Sequence, residues 1–189
     1  NKILVMGVFP RRPQAVTLEL FRPLADTLSK SLNQRIVLES AEDFEKFWNK
    51  VREKKFDIVH YNQYHYIRTH KELGYEVIGM NEEGGRNTIS ASIIVRKDSP
   101  INSIKDLKGK KILFGGSTKA MISYIYATYL LQEGGLNAGD YSFRFEDDPP
   151  SAVVGAYYRL GDADAAGVGD VVLELPIVKK QINTADLRF

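Results

Sequence analysis

Lys111-Ile112-Leu113-Phe114-Gly115-Gly116-Ser117-Thr118-Lys119-Ala120-Met121 is the stretch on which the reading of this chain turns. Its apolar opening is a short buried strand, two glycines break it, and a helix-forming run from Ala120 to Glu133 follows. A strand leading through a glycine turn into a helix is the unit of an open α/β sheet, where ligands bind beyond the carboxyl ends of the strands. Gly116 lets backbone N–H groups approach a ligand, and Ser117 and Thr118 add hydroxyls at the helix start. A helix start carries unpaired donors and roughly half a positive charge, which suits an anion. The same residues also fit a plain glycine turn with Ser117 or Thr118 as N-cap. Neither Gly-x-x-x-x-Gly-Lys-[Ser/Thr] nor Gly-x-Gly-x-x-Gly is present, which disfavours nucleotide binding.

Outward from this stretch the two hydrophobic periods keep alternating. On the amino-terminal side, strands are expected at Ile3–Val8, Arg35–Glu39, Phe56–His60, Glu76–Met80 and Ile89–Arg96. Helices are expected at Thr17–Leu32, after Ser40-Ala41-Glu42-Asp43 (read as a capping box with Asp for Glu), and at Gln63–Leu73. Pro23 fits the first of these only near its first turn. On the carboxyl side, strands are expected at Tyr141–Phe145 and Ala163–Gly167, helices at Pro149–Leu160 and Val171–Lys180, and a strand start at Leu187–Phe189. The pattern predicts an α/β fold with largely parallel sheets. The polar stretch Asn81–Asn87 before a strand suggests a division near residue 93, with a first lobe at 1–93, a second at 94–185, and 186–189 beginning a hinge strand that returns toward the first lobe. Strand count alone does not separate this from one continuous sheet.

The 189 residues carry 26 Lys+Arg and 24 Asp+Glu, a net charge of +2, and no such balance builds the basic field of a nucleic-acid binder. With no cysteine there is no disulfide framework, thiolate nucleophile or Cys-ligated zinc. No apolar run approaches the ~20 residues of a membrane span. Asn1–Leu4 lacks the look of a signal peptide, so either the chain is intracellular or a leader was removed before this numbering begins.

Other candidates sit at further strand ends. Two hydroxyls and a helix start hold an anion poorly, because stripping water from an oxyanion costs several kcal/mol, more than one charge-assisted hydrogen bond of roughly 1.5–3 returns. Arg11 and Arg12 follow the first strand, and Lys119 lies beside the hydroxyls; each also fits a solvated charge. Tyr61 and Asn62 follow the strand ending at His60, as cleft-lining donors or as packing at a helix start. Asp170 begins a helix after Ala165–Gly169, either as an N-cap or as an acceptor for a ligand hydroxyl, amine or protonated acid. His60, His65 and His70 are spaced five apart and do not share a helix face as metal ligands would. No nucleophile elbow or paired-carboxylate arrangement supplies enzyme machinery, and no cofactor is expected.

Several segments together resemble the phosphate/phosphite/phosphonate-type substrate-binding proteins of ABC transporters. They are Val95–Ile101, Ile104–Lys111, the Gly-Ser-Thr turn, Phe21-Arg22-Pro23-Leu24-Ala25, Phe56–Val59, Gly161–Ala166 and Asp170–Glu174, in the family's order along nearly the whole chain. The resemblance implies two α/β lobes of the type 2 periplasmic-binding-protein fold that close over a small anion in an interlobe cleft, serving a membrane permease. It places the oxyanion on Ser117, Thr118 and the Lys119 and Ala120 N–H groups, under Tyr61 and Phe9. It also implies a periplasmic or membrane-anchored extracytoplasmic location.

The departures are specific. The family's Ser-Thr-Ser-Gly is here Ser117-Thr118-Lys119-Ala120, its Ser-His pair is replaced by Pro149-Pro150-Ser151, and its late acidic residue is displaced from Gly169 to Asp170. Members return to complete the first lobe, so a chain stopping at Phe189 is expected to be a fragment, a truncated reading frame, or a protein whose first lobe is completed otherwise. The alternative reading is a sensory domain of the same fold.

Overall fold

The computed structural model describes residues 3–10, 13–82 and 85–189. The chain divides into the units Asn1–Gly79 and Met80–Phe189. In the first, β1 (Leu4–Val8) lies between β2 (Ile36–Glu39) and β3 (Ile58–His60), parallel to both. Residues of β1 alternate between faces. Met6 and Val8 pack with Ala25, Phe21 and Leu28 of α1 (Gln14–Leu32), while Val5 joins Phe47, Trp48 and Val51 of α2 (Phe44–Arg52) and Phe56. Phe47, Trp48 and Val51 are the buried face of α2. α3 (Gln63–Leu73) ends on Gly74 in the left-handed region.

Three local expectations change here. α1 begins at Gln14, so Pro23 sits inside the helix, on its exposed side; the Thr27 hydroxyl donates to the Pro23 carbonyl. The cap of α2 is Asp43, whose carboxylate accepts the Lys46 N–H at 2.8 Å, and not Ser40. Ser40 is buried and its hydroxyl donates to the Val8 carbonyl at 2.7 Å, tying the ends of β1 and β2. Glu76–Met80 forms no strand, because no strand of the three-stranded sheet pairs with it, and Ile78 is left 85% exposed.

The second unit has a five-stranded sheet in the order β6-β5-β7-β4-β8. Its strands are β4 (Ala91–Arg96), β5 (Lys111–Gly115), β6 (Ser142–Glu146), β7 (Ala165–Gly169) and β8 (Leu187–Arg188). β5 runs parallel to β6 and β7, whereas β4 is antiparallel to β7 and β8. Four of the six pairings among the described residues are thus parallel. Ile112 and Phe114 face Ala127 and Leu131 of α4 (Ala127–Glu133); Leu113 faces Ala152, Val153 and Ala156 of α5 (Pro149–Tyr157).

The sequence division at residue 93 falls inside β4, which the structure keeps whole within the second unit, its first residues paired with β7 and its last with β8. The strand expected from Leu187 is β8, and it pairs within this same sheet. The helix expected at Val171–Lys180 is split into a 3₁₀ turn, Asp170–Glu174, and the short α6, Pro176–Lys179. Pro176 explains the split: the residue before a proline is pushed out of the helical region, and Leu175 is extended at φ −65°, ψ 133°.

Candidate functional site

The Gly-Ser-Thr turn is built by three close approaches. Gly115 ends β5 where the start of α5 is seated on it; a Cβ there would lie 2.2 Å from the Pro149 nitrogen. Gly116 adopts φ +93° and its N–H donates to the Glu146 carbonyl at 2.8 Å, which pins the turn to β6. The buried Ser123 hydroxyl donates to the Gly115 carbonyl at 2.6 Å. Ser123 lies in a π-helical segment, Met121–Tyr126, that precedes α4; its Ile125 N–H reaches the Ala120 carbonyl at 3.0 Å. Such segments are rare and are frequent at functional sites.

Ser117, Thr118 and Lys119 project from this turn and are exposed. The N-cap of the helical run is Ala120, without a side-chain cap, so neither hydroxyl is the cap that the sequence allowed. The Lys119 N–H donates to Ser117 Oγ at 3.2 Å and the Ala120 N–H to the Ser117 carbonyl at 2.9 Å. Both N–H groups that the family resemblance offered to an anion are therefore engaged inside the turn. The Thr118 hydroxyl and the Lys119 ammonium remain toward solvent.

Asp170 leaves β7 at the same edge of the sheet. Its N–H donates to the Ser90 carbonyl at 3.0 Å, and its carboxylate accepts the Val171 N–H and Arg86 Nη1, each at 2.9 Å. Asp164 lies toward the opposite edge, accepting the Lys111 N–H at 3.0 Å where β5 begins. In the place of the family's Ser-His pair, Asp148 caps α5 by accepting the Ser151 N–H at 2.8 Å.

The first-unit candidates have local duties. Phe9 and Tyr61 follow Val8 and His60, which are in register, and the Phe9 N–H donates to the His60 carbonyl at 3.0 Å. The Phe9 ring meets Phe44 edge-on at 5.3 Å. The Tyr61 hydroxyl is hydrogen-bonded to Thr69, and burial raises its pKa. Asn62 caps α3, its side-chain oxygen accepting the His65 N–H at 3.0 Å. Arg11 and Arg12 lie outside the described residues.

The three histidines occupy different surroundings. His65 is buried among Phe9, Phe44, Trp48 and Tyr64, with Nδ1 making no hydrogen bond. Burial first, and the charge of Arg68 second, lower its pKa to about 4. The His60 ring meets that of Phe21 at a tilt of 53°, with centroids 4.7 Å apart, and His70 Nδ1 lies 2.9 Å from the Tyr75 carbonyl.

Sequence reading missed Arg86 and Ser123. Arg86 stood in a polar stretch taken as a connection, and Ser123 in a helix interior whose only signal was its spacing eight residues after Gly115.

Comparison with known proteins places this arrangement. Solved structures with the same fold include PhnD1 from Prochlorococcus marinus in complex with methylphosphonate (TM-score 0.68, 19% identity, covering 99% of this chain and 71% of that one). A binding-protein component of a phosphonate ABC transporter from Pseudomonas aeruginosa matches with TM-score 0.64 and 14% identity over 98% of this chain and 63% of that one. A Xanthomonas citri protein bound to ATP matches with TM-score 0.74 and 20% identity over 100% of this chain and 71% of that one. These are type 2 periplasmic binding proteins, and that is the class of this fold. The family model for the phosphonate periplasmic substrate-binding proteins of ABC transporters matches residues 6–189. The chain belongs to that family, whose members are transport proteins that take a small ligand to a membrane permease.

Proposed function

We propose that this chain captures a small tetrahedral phosphorus oxyanion (phosphate, phosphite or a small phosphonate) on the turn Gly116–Ala120, for delivery to the permease of an importer in the periplasm. The observation that carries the reading is the turn itself: at the carboxyl end of a central strand, two hydroxyls and a lysine are held outward by a positive-φ glycine and a buried serine anchor. This is where open α/β sheets place ligands. The Prochlorococcus relative holds methylphosphonate and the Xanthomonas relative ATP, ligands that share a phosphorus oxyanion. Ser117 and Thr118 donate to the oxyanion, with Ser117 turning its hydroxyl hydrogen to the ligand while its oxygen keeps the Lys119 N–H. Lys119 adds charge.

The test is a thermal-shift panel of phosphate, phosphite, methylphosphonate and sulfate. At about 100 times Kd a ligand stabilises the fold by roughly 2.7 kcal/mol. Replacing both Ser117 and Thr118 by Ala removes most of the rise. No rise with any of the four rejects the anion reading; a rise that survives the double substitution rejects the turn as its seat.

A further inference from the structure

An oxyanion on this turn has acidic neighbours. Asp147 and Asp148 follow β6 directly and are exposed, beside the Pro149 backbone that seats on Gly115. Lys119 is one cation available to oppose them. The structure offers a second on the other flank. β5 and β7 are parallel neighbours with Phe114 opposite Gly167, so Ser117 and Asp170, each three residues further on, leave the same edge of the sheet on adjacent strands. Adjacent strands lie about 4.8 Å apart. The π-helical segment that follows the turn also abuts the end of β7, since a Cβ on Gly169 would meet Ile122 at 3.0 Å.

At that strand end the Asp170 carboxylate is covered. Arg86 Nη1 donates to it at 2.9 Å, and the Asp170 N–H to Ser90 carbonyl bond fixes the segment that brings Arg86 there. The Arg86 side chain remains 50% exposed against 24% for Asp170, so the pair presents guanidinium N–H donors outward and keeps the carboxylate beneath. An exposed pair of this kind contributes little to folding. What it changes is the chemistry of the wall. A bare carboxylate attracts an ammonium group, whereas a guanidinium fork matches an oxyanion.

We propose that Arg86 is a specificity-determining residue of the oxyanion site: oriented by Asp170, it supplies the cationic wall and masks the carboxylate from ligands that carry an amine. This rests on the Gly116–Ala120 turn being the oxyanion seat. The ligand class that follows is a phosphorus oxyanion whose remaining group is neutral or anionic.

Calorimetry of the whole chain with methylphosphonate and 2-aminoethylphosphonate, at one pH and salt concentration, tests it. The unsubstituted protein is expected to bind methylphosphonate at least about tenfold more tightly. Arg86→Gln is expected to weaken methylphosphonate and to reduce that preference by about tenfold or more, the effect of one charge-assisted hydrogen bond. Arg86→Gln combined with Asp170→Asn removes the gain for the amine. Should Arg86→Gln not fold, Asp170→Asn alone is expected to weaken methylphosphonate several-fold, because the guanidinium loses its orienting partner; unchanged affinity there overturns the assignment. An unchanged preference in folded Arg86→Gln that still binds methylphosphonate also overturns it while the turn stands. Binding of neither compound by the unsubstituted protein overturns this proposal, while the phosphate and phosphite arms of the thermal-shift panel decide the oxyanion reading separately.

Discussion

The two units use the polar residues at their strand ends in different ways. In the first, every such residue that the structure describes is taken up locally: Asn62 caps a helix, the Tyr61 hydroxyl is bonded to Thr69, and Ser40 ties two strands together. In the second, the turn after β5 leaves Thr118 and Lys119 outward and anchors itself through the Gly116 N–H, which goes to Glu146, and through Ser123, which the sequence reading did not single out. The lesson is that a hydroxyl or amide at a carboxyl strand end becomes available only where other atoms meet the backbone's needs. The contrast concerns packing too. The first unit packs Phe47 and Trp48 with His65 on one face of its sheet, whereas the second buries Leu113, Val153 and Val178 on one face and Phe114 with Tyr124 and Phe145 on the other.

The largest test of this contrast is Phe47→Ala. Phe47 is fully buried, and its loss should cost about 3–5 kcal/mol in the first core. Trp48 is the single tryptophan, so its fluorescence during urea unfolding reports on the first unit. An early tryptophan transition with the far-ultraviolet signal partly retained is expected; one coincident transition would show that the cores are not separate.

Gly115→Ala probes the other unit. The added methyl would stand 2.2 Å from the Pro149 backbone, which is not free to move as a side chain is. We expect a loss of about 3 kcal/mol, the upper end of overpacking costs, with Trp48 fluorescence unaffected. A variant as stable as the parent would dismiss the close seating of α5 as the support of the turn.

Between about pH 6.5 and 4, acid should act on the first unit through His65. The His65 pKa is lowered to about 4 from an ordinary 6.5, so the folded state keeps it neutral while the unfolded state takes up a proton. Its contribution is complete above about 6.5 and is lost as pH falls toward 4, by about 1–2 kcal/mol once solvent screening is allowed for. His65→Phe should flatten that part of the pH profile. An unaltered slope in the variant would assign the acid sensitivity elsewhere.

The smallest effect sharpens the comparison most directly. Asn62→Ala removes a cap and should cost about 1 kcal/mol in the ligand-free protein. Ser117→Ala should cost within about 0.5 kcal/mol, since Ser117 is exposed and caps no helix. Equal costs would erase the distinction between an engaged and an available strand end.

Most elements were legible because two periods, 2 and 3.6, separate strands from helices, and the glycine turn was legible because its two glycines stand between such periods. What escaped depends on partners distant in sequence. Glu76–Met80 has strand composition, but a strand exists only against a neighbour. Ser40 reads as a cap until β1 brings the Val8 carbonyl beside it. Asp170 could be recognised as a strand-end acid, but not as one covered by Arg86, 84 positions earlier in the chain. The glycine turn was thus readable as a local motif, and the Arg86–Asp170 pair was not.

The antiparallel placement of β4 beside β8 has a mechanical consequence. Val95 stands opposite Arg188 and Arg96 opposite Leu187, so the first and last strands of the second unit are neighbours running in opposite directions. Ala91, where β4 begins, and Arg188, where β8 ends, therefore leave toward the same end of the sheet. A load applied between them pulls this pair apart bond by bond, as a zipper opens, instead of shearing all its bonds together. That seam lies at the far edge of the sheet from β6, with β7 and β5 between them.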